Sequence, residues 1–310
     1  MIPLVAIVGP TAVGKTALAL RLAQAFDAEI VGADSRQVYR YTDVGTAKPT
    51  AEERRLVPHH LLDVADPDED FSLALYQQMA YHAIEDIHRR GRTPFLVGGS
   101  GLYVRAVVEG FAIPQVPPHP ELRRSLEEHA ASDGAMALHR ELQRVDPAAA
   151  GRIDPRNVRR VVRALEVWHA TGTPVSTLQT REPLYRSLML GLTTAREDLY
   201  RRIDQRVDRM IEHGLIEEVQ GLIDRGYSLD LPSLSGLGYR EIGEYLGGRA
   251  ELATVAQHIK HETHRFARHQ YAWFRPGDES IRWFDVRDAT DDAVAALVRE
   301  FLGGRQKVKP

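Results

Sequence analysis

The chain has 310 residues, 43% of them apolar, and a formal net charge of −3 at pH 7. That length allows one large domain or two modest ones with a substantial core. The absence of cysteine excludes disulfides, thiolate catalysis and cysteine-ligated zinc or iron–sulfur centres, and the negative net charge requires any polyanionic partner to bind a local basic patch.

No apolar stretch reaches the length of a membrane-spanning helix. The first residues also lack the basic segment and the small-residue cleavage site of a signal peptide. We therefore expect a cytoplasmic protein with no membrane partner, and we expect a monomer because no pattern suggests an obligate partner.

The predicted elements begin with a strand, a loop and a helix around a phosphate-binding pattern. The apolar run Leu4–Gly9 predicts a buried parallel strand, and helical spacing follows residue 14. Between them, GPTAVGKT at Gly9–Thr16 matches G-x-x-x-x-G-K-[ST], the P-loop. Such a loop turns backbone N–H groups towards anionic oxygens at a helix N-terminus, while Lys15 adds a charge and Thr16 a hydroxyl that can bind Mg²⁺.

Strand and helix patterns continue to alternate after this loop. Helices are predicted at residues 72–90 and from about residue 102, and further strands at 28–34, 93–99, 187–194 and 281–286. This alternation predicts an α/β fold, with a P-loop NTPase-like parallel sheet covered by helices on both faces.

The proline-rich segment Ile113–Pro120 interrupts the alternation, and residues 121–172 show helical patterns only. We therefore predict that residues 1–113 and 186–310 form the α/β core with C-terminal helices. Residues 114–185 are predicted to form an all-helical insertion domain.

An acidic residue, Asp34, ends the second predicted strand, whereas no carboxylate follows the strand at 93–99 in the usual Walker-B position. Ligands bind at the carboxyl ends of strands in parallel sheets. Asp34 is thus expected to hold a metal ion through water or to accept a proton, with a solvated capping carboxylate as the alternative.

Eight motifs, in order, resemble those of the tRNA dimethylallyltransferases, also called tRNA isopentenyltransferases, of the bacterial type. They span about residues 4–285 and read GPTAVGKT, DSRQVYR, DVGTAKPT, PHHLLDV, LVGGSGLY, RALEV, GYREI and RHQYAWFR. Members of this family transfer a dimethylallyl group from dimethylallyl diphosphate to N6 of adenosine 37, 3′ of the anticodon in tRNAs that read codons beginning with U. The resemblance implies this activity, release of diphosphate, Mg²⁺ as cofactor, and the anticodon stem-loop as the part of tRNA that is bound by a helical insertion.

The resemblance also implies roles for individual residues. Three residues would be catalytic: Asp34 would take the proton from the attacking amine, Lys15 would stabilise the leaving diphosphate, and Thr16 would hold the metal. The diphosphate would be bound by the P-loop and one opposing arginine: Gly9, Pro10, Thr11, Ala12, Val13, Gly14, Lys15, Thr16 and Arg206. Residues matching tRNA-contacting positions are Asp34, Ser35, Arg36, Gln37, Ser100, Arg123, Arg159, Arg160, Val161, Val162, Arg163, Ser235, Gly236, Leu237, Gly238, Tyr239, Arg268, Gln270, Trp273 and Arg275. Ser100 stands where the family usually has threonine, which retains the hydroxyl.

These residue types suit the chemistry that the resemblance implies. An adenine amine is a poor nucleophile, so the donor must ionise, and N–H groups, cations and Mg²⁺ stabilise the departing diphosphate. The adenine must leave its stack to reach such a site, and proteins read RNA bases mainly in single-stranded loops.

Three alternatives remain open. An adenylate isopentenyltransferase would act on free AMP, ADP or ATP, but would need neither the helical insertion nor the basic segment 258–275. A P-loop small-molecule kinase would bind ATP in the loop, but the carboxylate after the strand at 93–99 is missing. A non-catalytic RNA-binding protein would not need Lys15, Thr16 and Asp34 together.

Other features are given ordinary structural interpretations. The segment 258–275 is expected to pack one face and to present the other to phosphate. We expect no metal at the histidines spaced by three along it, His258, His261 and His264, and the acidic run at 63–70 is expected to be a solvated loop.

Overall fold

A parallel sheet organises the larger of the two compact units of the chain, which comprises Met1–Val108 and the chain from Leu184 onward. The computed structural model describes residues 1–178, 180–288 and 291–303. In those residues the strands are β1 (Ile2–Val8), β2 (Ala28–Gly32), β3 (His59–His60), β4 (Thr93–Val97), β5 (Tyr185–Thr193) and β6 (Ile281–Asp285). They pair in parallel in the order β3-β2-β4-β1-β5-β6.

Helices connect and cover these strands. In chain order they are α1 (Lys15–Ala25), α2 (Ala51–Leu56), α3 (Leu73–Arg89), α4 (Gly101–Val108), α5 (Pro120–Ser132), α6 (Ala135–Val145), α7 (Pro147–Ala150), α8 (Val158–Thr171), α9 (Val175–Leu178), α10 (Arg196–Glu212), α11 (Leu215–Asp224), α12 (Tyr239–Leu246), α13 (Leu252–Trp273) and α14 (Asp291–Gly303). A 3₁₀ turn occupies Pro232–Leu234.

The central strand β1 is buried on both faces, since successive side chains of a strand point to opposite sides. Leu4, Ala6 and Val8 pack in a core that includes residues of α3 and α4. Val5 and Ile7 pack in a second core that includes residues of α1 and α14. This confirms the predicted α/β fold with a parallel sheet covered by helices on both faces.

The predicted strands and the helix at 72–90 are all present, and the Ser72 hydroxyl accepts the Leu75 N–H at 3.1 Å, as expected of a helix N-cap. The sequence did not predict β3, because two residues are too short to show a period. A further core joins α10 to α13 through Val207, Leu215 and Ile259. Among the described residues, no helix is both long and apolar enough to cross a membrane.

The smaller unit, Glu109–Pro183, is built from helices α5–α9 around a core that includes Leu138, Leu142 and Leu165. It begins at residue 109, not 114, and ends at 183, not 185. The reason is a short two-stranded closure: Phe111 bridges Arg181, and the Ala112 N–H donates to the Thr180 carbonyl at 2.9 Å. This pairing ties the two ends of the unit together.

The acidic run at 63–70 is only partly a solvated loop, so that prediction was wrong for Asp63. Its carboxylate accepts hydrogen bonds from Lys48 at 2.6 Å and Arg54 at 2.8 Å. Burial alone would raise the pKa of Asp63, but these two cations lower it. Lys48 is itself buried, so the run contributes one carboxylate to an internal ion cluster.

Candidate active site

The P-loop connects β1 to α1 and has left-handed backbone at two of its glycines. Gly9 has φ 142° and Gly14 has φ 107°, conformations that side chains other than glycine rarely adopt. A Cβ on Gly9 would also lie 2.5 Å from the Leu192 carbonyl oxygen on β5. The glycines therefore allow the loop to pass close to the sheet and to lead directly into α1.

The Lys15 side chain folds back over this loop. Its ammonium donates to the carbonyls of Gly9 at 3.0 Å and Pro10 at 2.8 Å. Burial and the positive charge of Arg206 together lower the pKa of Lys15 to about 8, and the negative charge of Asp34 opposes them. A partly buried cation whose hydrogen bonds go to neutral carbonyls favours the arrival of an anion.

One cavity lies at the carboxyl ends of β1, β2 and β4, where ligands bind in parallel α/β sheets. Its polar lining includes Thr11, Lys15, Thr16, Asp34, Gln37, His59, Arg206 and Gln270. Its apolar lining includes Ile30, Ala47, Pro49, Leu62, Val97 and Phe266. The cavity therefore offers cations and N–H groups to an anion and an apolar wall to a hydrocarbon.

Two charged groups in this cavity, Asp34 and Arg206, come from distant parts of the chain. The Asp34 carboxylate follows β2 and accepts the Arg36 N–H at 2.9 Å. Arg206, on α10, donates to the Thr46 carbonyl at 3.4 Å. Burial lowers the pKa of Arg206, and the charge of Asp34 opposes this shift. The structure thus brings Lys15, Asp34 and Arg206 to one cavity, and their individual roles stay predictions.

Gln270 was expected to contact tRNA, but its amide is used inside the protein. The side-chain carbonyl accepts the Thr11 N–H at 2.8 Å, and the side-chain NH₂ donates to the Gly99 carbonyl at 2.9 Å. Only 5% of the residue is exposed. Gln270 therefore fastens the P-loop to the segment after β4, and we no longer assign it to RNA binding.

The polar segment after β2 is also held by internal hydrogen bonds. The Ser100 hydroxyl accepts the Ser35 N–H at 2.9 Å, and the Gln37 amide donates to the Thr46 and Ala47 carbonyls at 3.0 and 3.2 Å. The Ser100 hydroxyl therefore links the segment after β4 to the segment after β2.

The Arg36 guanidinium, also expected at the tRNA, donates to the carbonyls of Pro232 at 2.5 Å and Ser233 at 3.1 Å, and to the Ser235 hydroxyl at 2.9 Å. These bonds hold the start of the segment Ser235–Tyr239 beside Arg36 and use the N–H groups of the guanidinium within the protein. Tyr239 is only 1% exposed, and its hydroxyl donates to Glu218 at 2.9 Å, so the predicted RNA contact of this side chain is corrected. Ser235 is exposed, and Gly236, Leu237 and Gly238 are less so.

The basic segment 258–275 lies mostly on α13, and one face packs through Ile259 and Ala267, as predicted. Three predicted RNA-contacting side chains on and after this helix are exposed, namely Arg268, Trp273 and Arg275. Arg268 donates to the Tyr200 hydroxyl at 2.6 Å. The phosphate contact of this face stays a prediction.

Within the smaller unit, the predicted RNA-contacting segment splits into buried and exposed positions. Val161 and Val162 are buried in the core, so their predicted tRNA contacts are corrected. Arg159 and Arg160 are exposed.

Arg123 and Arg163 both bind the buried carboxylate of Glu166, with Arg123 donating to both oxygens at 2.8 Å. Burial alone would raise the pKa of Glu166, but the hydrogen bonds from Arg123, the His119 N–H and Arg163 lower it to about 2. The guanidinium groups of Arg123 and Arg163 therefore serve the fold of this unit first.

A divalent cation has suitable donors at the cavity. Mg²⁺ is held in proteins by one or two carboxylates or hydroxyls, with substrate phosphates and water completing its shell. The Thr16 hydroxyl and the Asp34 carboxylate both line the cavity and fit that pattern. In the described ranges no three His, Asp or Glu residues cluster as metal ligands; His264 stacks on the Tyr200 ring, with centroids 4.0 Å apart.

Three further residues lie at the cavity or bind the loops beside it, and the sequence did not predict them as site residues. Phe266, 48% exposed, lines the cavity, and its only sequence signal was an aromatic residue on a basic helix. Arg202 donates to the Val13 carbonyl of the P-loop at 3.4 Å. Glu218 binds the loop that carries Thr46, and neither it nor Arg202 lies in a recognisable pattern.

Comparison with protein families gives two matches. Residues 37–277 match the family described as IPP transferase, and residues 2–63 match the one described as isopentenyl transferase.

Two relatives with similar sequences carry the same name. The tRNA dimethylallyltransferase of Roseiflexus sp. (strain RS-1) is 57% identical over 304 residues, which cover 97% of this chain and 99% of that relative. The tRNA dimethylallyltransferase of Thermomicrobium roseum is 55% identical over 285 residues, covering 92% of this chain and 86% of the relative.

Two solved structures of similar enzymes share the fold of this chain. The full-length tRNA isopentenylpyrophosphate transferase of Bacillus halodurans has a TM-score of 0.72 at 44% identity, covering 98% of this chain and 96% of that one. A eukaryotic dimethylallyltransferase, captured acting on tRNA, has a TM-score of 0.84 at 26% identity, covering 100% of this chain and 82% of that one.

Proposed function

The chain belongs to the tRNA dimethylallyltransferase family, whose members are also described as IPP transferases, and on that premise we propose that it transfers a dimethylallyl group from dimethylallyl diphosphate to N6 of adenosine 37 in tRNA. The observation that carries the proposal is the composition of one cavity, where Lys15 and Arg206 face Asp34 beside an apolar wall. A site that bound only phosphate, or only a nucleobase, would not need the two cations, the carboxylate and the apolar wall together.

The diphosphate end of the donor is proposed to lie on the P-loop. Its oxygens would accept the N–H groups at the start of α1, whose dipole favours negative charge. Lys15 and Arg206 would add two cations in a partly buried setting, where charge stabilisation is stronger than in water. The dimethylallyl end would then lie against the apolar lining that includes Val97 and Phe266.

Transfer breaks the bond between C1 of the donor and the diphosphate oxygen and forms a bond between C1 and N6 of adenine. The electron pair of the broken bond stays on the diphosphate, whose growing charge Lys15 and Arg206 stabilise. When bound at Thr16, Mg²⁺ would neutralise further charge on that leaving group. The nitrogen becomes cationic as it bonds to carbon, and Asp34 then accepts its proton, for which a carboxylate suffices.

The tRNA is proposed to bind through the exposed basic and aromatic side chains that remain after the corrections above. These are Arg159, Arg160, Arg268, Trp273 and Arg275. Use of Mg²⁺ and the choice of tRNAs that read codons beginning with U follow from the resemblance. The monomeric state and the cytoplasmic location are proposed on the sequence alone.

The proposal is tested by incubating the protein with labelled dimethylallyl diphosphate and either unmodified tRNA or AMP. Label should appear in tRNA, at the adenosine 3′ of the anticodon, and not in AMP. Label in AMP alone would make the protein an adenylate isopentenyltransferase, and transfer of phosphate from ATP to a small molecule would make it a kinase.

A substitution at Asp34 tests its role as proton acceptor. Asp34→Asn should lower turnover about 10²-fold or more, the usual contribution of a positioned base, while tRNA affinity stays within about threefold. Asp68→Asn, a change at an exposed carboxylate, serves as the matched control. Equal losses of turnover and tRNA binding in Asp34→Asn would make Asp34 a structural residue.

A further inference from the structure

The loop of residues 43–47, here named the 43–47 loop, is held from one side by the carboxylate of Glu218 on α11. The N–H groups of Asp43 and Val44 donate to one oxygen at 2.6 and 2.7 Å, and the Gly45 N–H donates to the other at 3.0 Å. The Tyr239 hydroxyl donates to that second oxygen at 2.9 Å. Four hydrogen bonds to one charged acceptor make a strong and directional clamp.

The opposite side of the same loop presents carbonyl groups to the cavity residues. The Thr46 carbonyl accepts from the Gln37 amide at 3.0 Å and, through a long bond of 3.4 Å, from Arg206. The Ala47 carbonyl accepts from the Gln37 amide at 3.2 Å. Gln37, Ala47 and Arg206 all line the cavity, whereas Glu218 is not among the described residues that do so.

The 43–47 loop is stiff between these two sides. The Ala47 N–H donates to the Val44 carbonyl at 2.9 Å, and the Lys48 N–H donates to the Asp43 carbonyl at 2.9 Å. Gly45 lies against the Tyr239 ring, since a Cβ there would come within 2.7 Å of the ring carbon and hydroxyl. A displacement of the N–H groups would therefore move the carbonyls as well.

An anchor for Arg206 is needed because Lys15 lies at the same cavity. The two positive charges repel each other before an anion arrives, and both side chains are partly buried. A carbonyl fixed at Thr46 offsets this repulsion and keeps the guanidinium in the cavity. If the 43–47 loop moved, Arg206 would lose its hydrogen bond to the Thr46 carbonyl and would be held less firmly beside Asp34.

From these contacts we infer that Glu218 is a positioning residue: it fixes the 43–47 loop so that the Thr46 carbonyl holds Arg206 in place for the diphosphate, while the Thr46 and Ala47 carbonyls hold Gln37 at the cavity wall. The inference rests on the proposed function only in assigning the diphosphate to Arg206. Glu218 touches neither substrate in this account, and Tyr239 supports it through one hydrogen bond.

The first test measures binding of inorganic diphosphate by calorimetry to wild type, Glu218→Gln and the control Glu217→Gln. Glutamine keeps the size of Glu218 but turns one acceptor into a donor that faces backbone N–H groups. Glu218→Gln should weaken diphosphate binding about tenfold and leave tRNA affinity within about twofold. Glu217, the exposed neighbour on the same helix, should tolerate the change without effect.

A double-mutant cycle with Arg206→Gln separates positioning from general destabilisation. If Glu218 acts through Arg206, the two substitutions together should weaken diphosphate binding little more than Arg206→Gln alone, because interacting residues are not additive. The inference would be overturned if the two substitutions weakened diphosphate binding additively. It would also be overturned if Glu218→Gln lowered the melting temperature but left diphosphate affinity unchanged.

Tyr239→Phe provides a second variant should Glu218→Gln fail to fold, because it removes one hydrogen bond and keeps the ring. It should weaken diphosphate binding about threefold and show the same non-additivity with Arg206→Gln; unchanged affinity would overturn the inference. Failure of the proposed function is distinguishable: the protein would then bind diphosphate in a Glu218-dependent way without prenylating tRNA.

Discussion

Replacing Gln270 distinguishes two roles of this side chain: contact with RNA and support of the P-loop. Gln270→Met is the sharpest change, because methionine has a similar volume and flexibility and leaves the packing of α13 in place. It removes the acceptor of the Thr11 N–H and the donor to the Gly99 carbonyl in one step.

The expected cost follows from those two hydrogen bonds. The one to Gly99 is buried and the one from Thr11 is partly buried. A hydrogen-bonding group left without a partner costs about 1–3 kcal/mol when buried and less when water can reach it. Gln270→Met should therefore lower the free energy of unfolding by about 2–4 kcal/mol, which lowers the melting temperature by about 5–15 °C for a unit of this size.

Function should change at the P-loop and not at the RNA. Because the Thr11 N–H is no longer fixed, the loop is less preorganised for an anion, and diphosphate affinity should fall about fivefold to tenfold. Affinity for tRNA should stay within about threefold of wild type. Thermal unfolding, calorimetry with inorganic diphosphate and filter binding with unmodified tRNA measure the three quantities.

His269→Ala, at an exposed position next to Gln270 on the same helix, is the matched control and should leave melting temperature and diphosphate affinity unchanged. The reasoning is refuted if Gln270→Met lowers tRNA affinity tenfold or more while melting temperature and diphosphate affinity stay at wild-type values. That result would return Gln270 to the RNA-contacting surface.

Three other predictions concern charged groups. Diphosphate affinity should fall as pH rises above about 8, because burial lowers the pKa of Lys15 to about 8 and its positive charge is lost above that value; calorimetry across pH 7–9 should show this fall flattened in Lys15→Met, and a fall that persists there would contradict it. Replacing Arg159 and Arg160 with alanine should weaken tRNA binding and reduce the slope of log affinity against log salt by about 0.7–0.9 for each phosphate that the variant no longer neutralises, and an unchanged slope would argue against phosphate binding by these arginines. Glu166→Gln should lower the free energy of unfolding by about 1–3 kcal/mol at pH 7, measured by denaturant titration. Burial alone would raise the pKa of Glu166, but hydrogen bonds from the arginines lower it in the folded state to about 2, below its ordinary 4.5. Its carboxylate therefore stabilises the protein above pH 4.5, and this contribution is lost as pH falls towards 2. An equal difference in free energy of unfolding between variant and wild type at pH 7 and pH 3 would contradict this explanation.

The features that the sequence determined by itself are those with local signals. The apolar runs that became β1, β2, β4 and β5 are contiguous, and the P-loop has its glycines and Lys15 within eight residues. Because parallel strands all end at the same edge, the placement of Asp34 beside that loop followed from its position after β2. The short strand β3 and the boundaries of the helical unit were beyond such reasoning, since they depend on pairing with distant segments.

Tertiary structure alone decided which polar side chains are available to a ligand. Gln270 and Arg36 look equally suited to RNA in the sequence, but Gln270 binds a P-loop N–H 259 residues away and Arg36 binds a carbonyl 196 residues away. A donor or acceptor satisfied within the protein is costly to withdraw, so its residue type says little about its role. The sequence therefore located the chemistry of the cavity, and the fold determined that Gln270, Tyr239 and Glu218 support it.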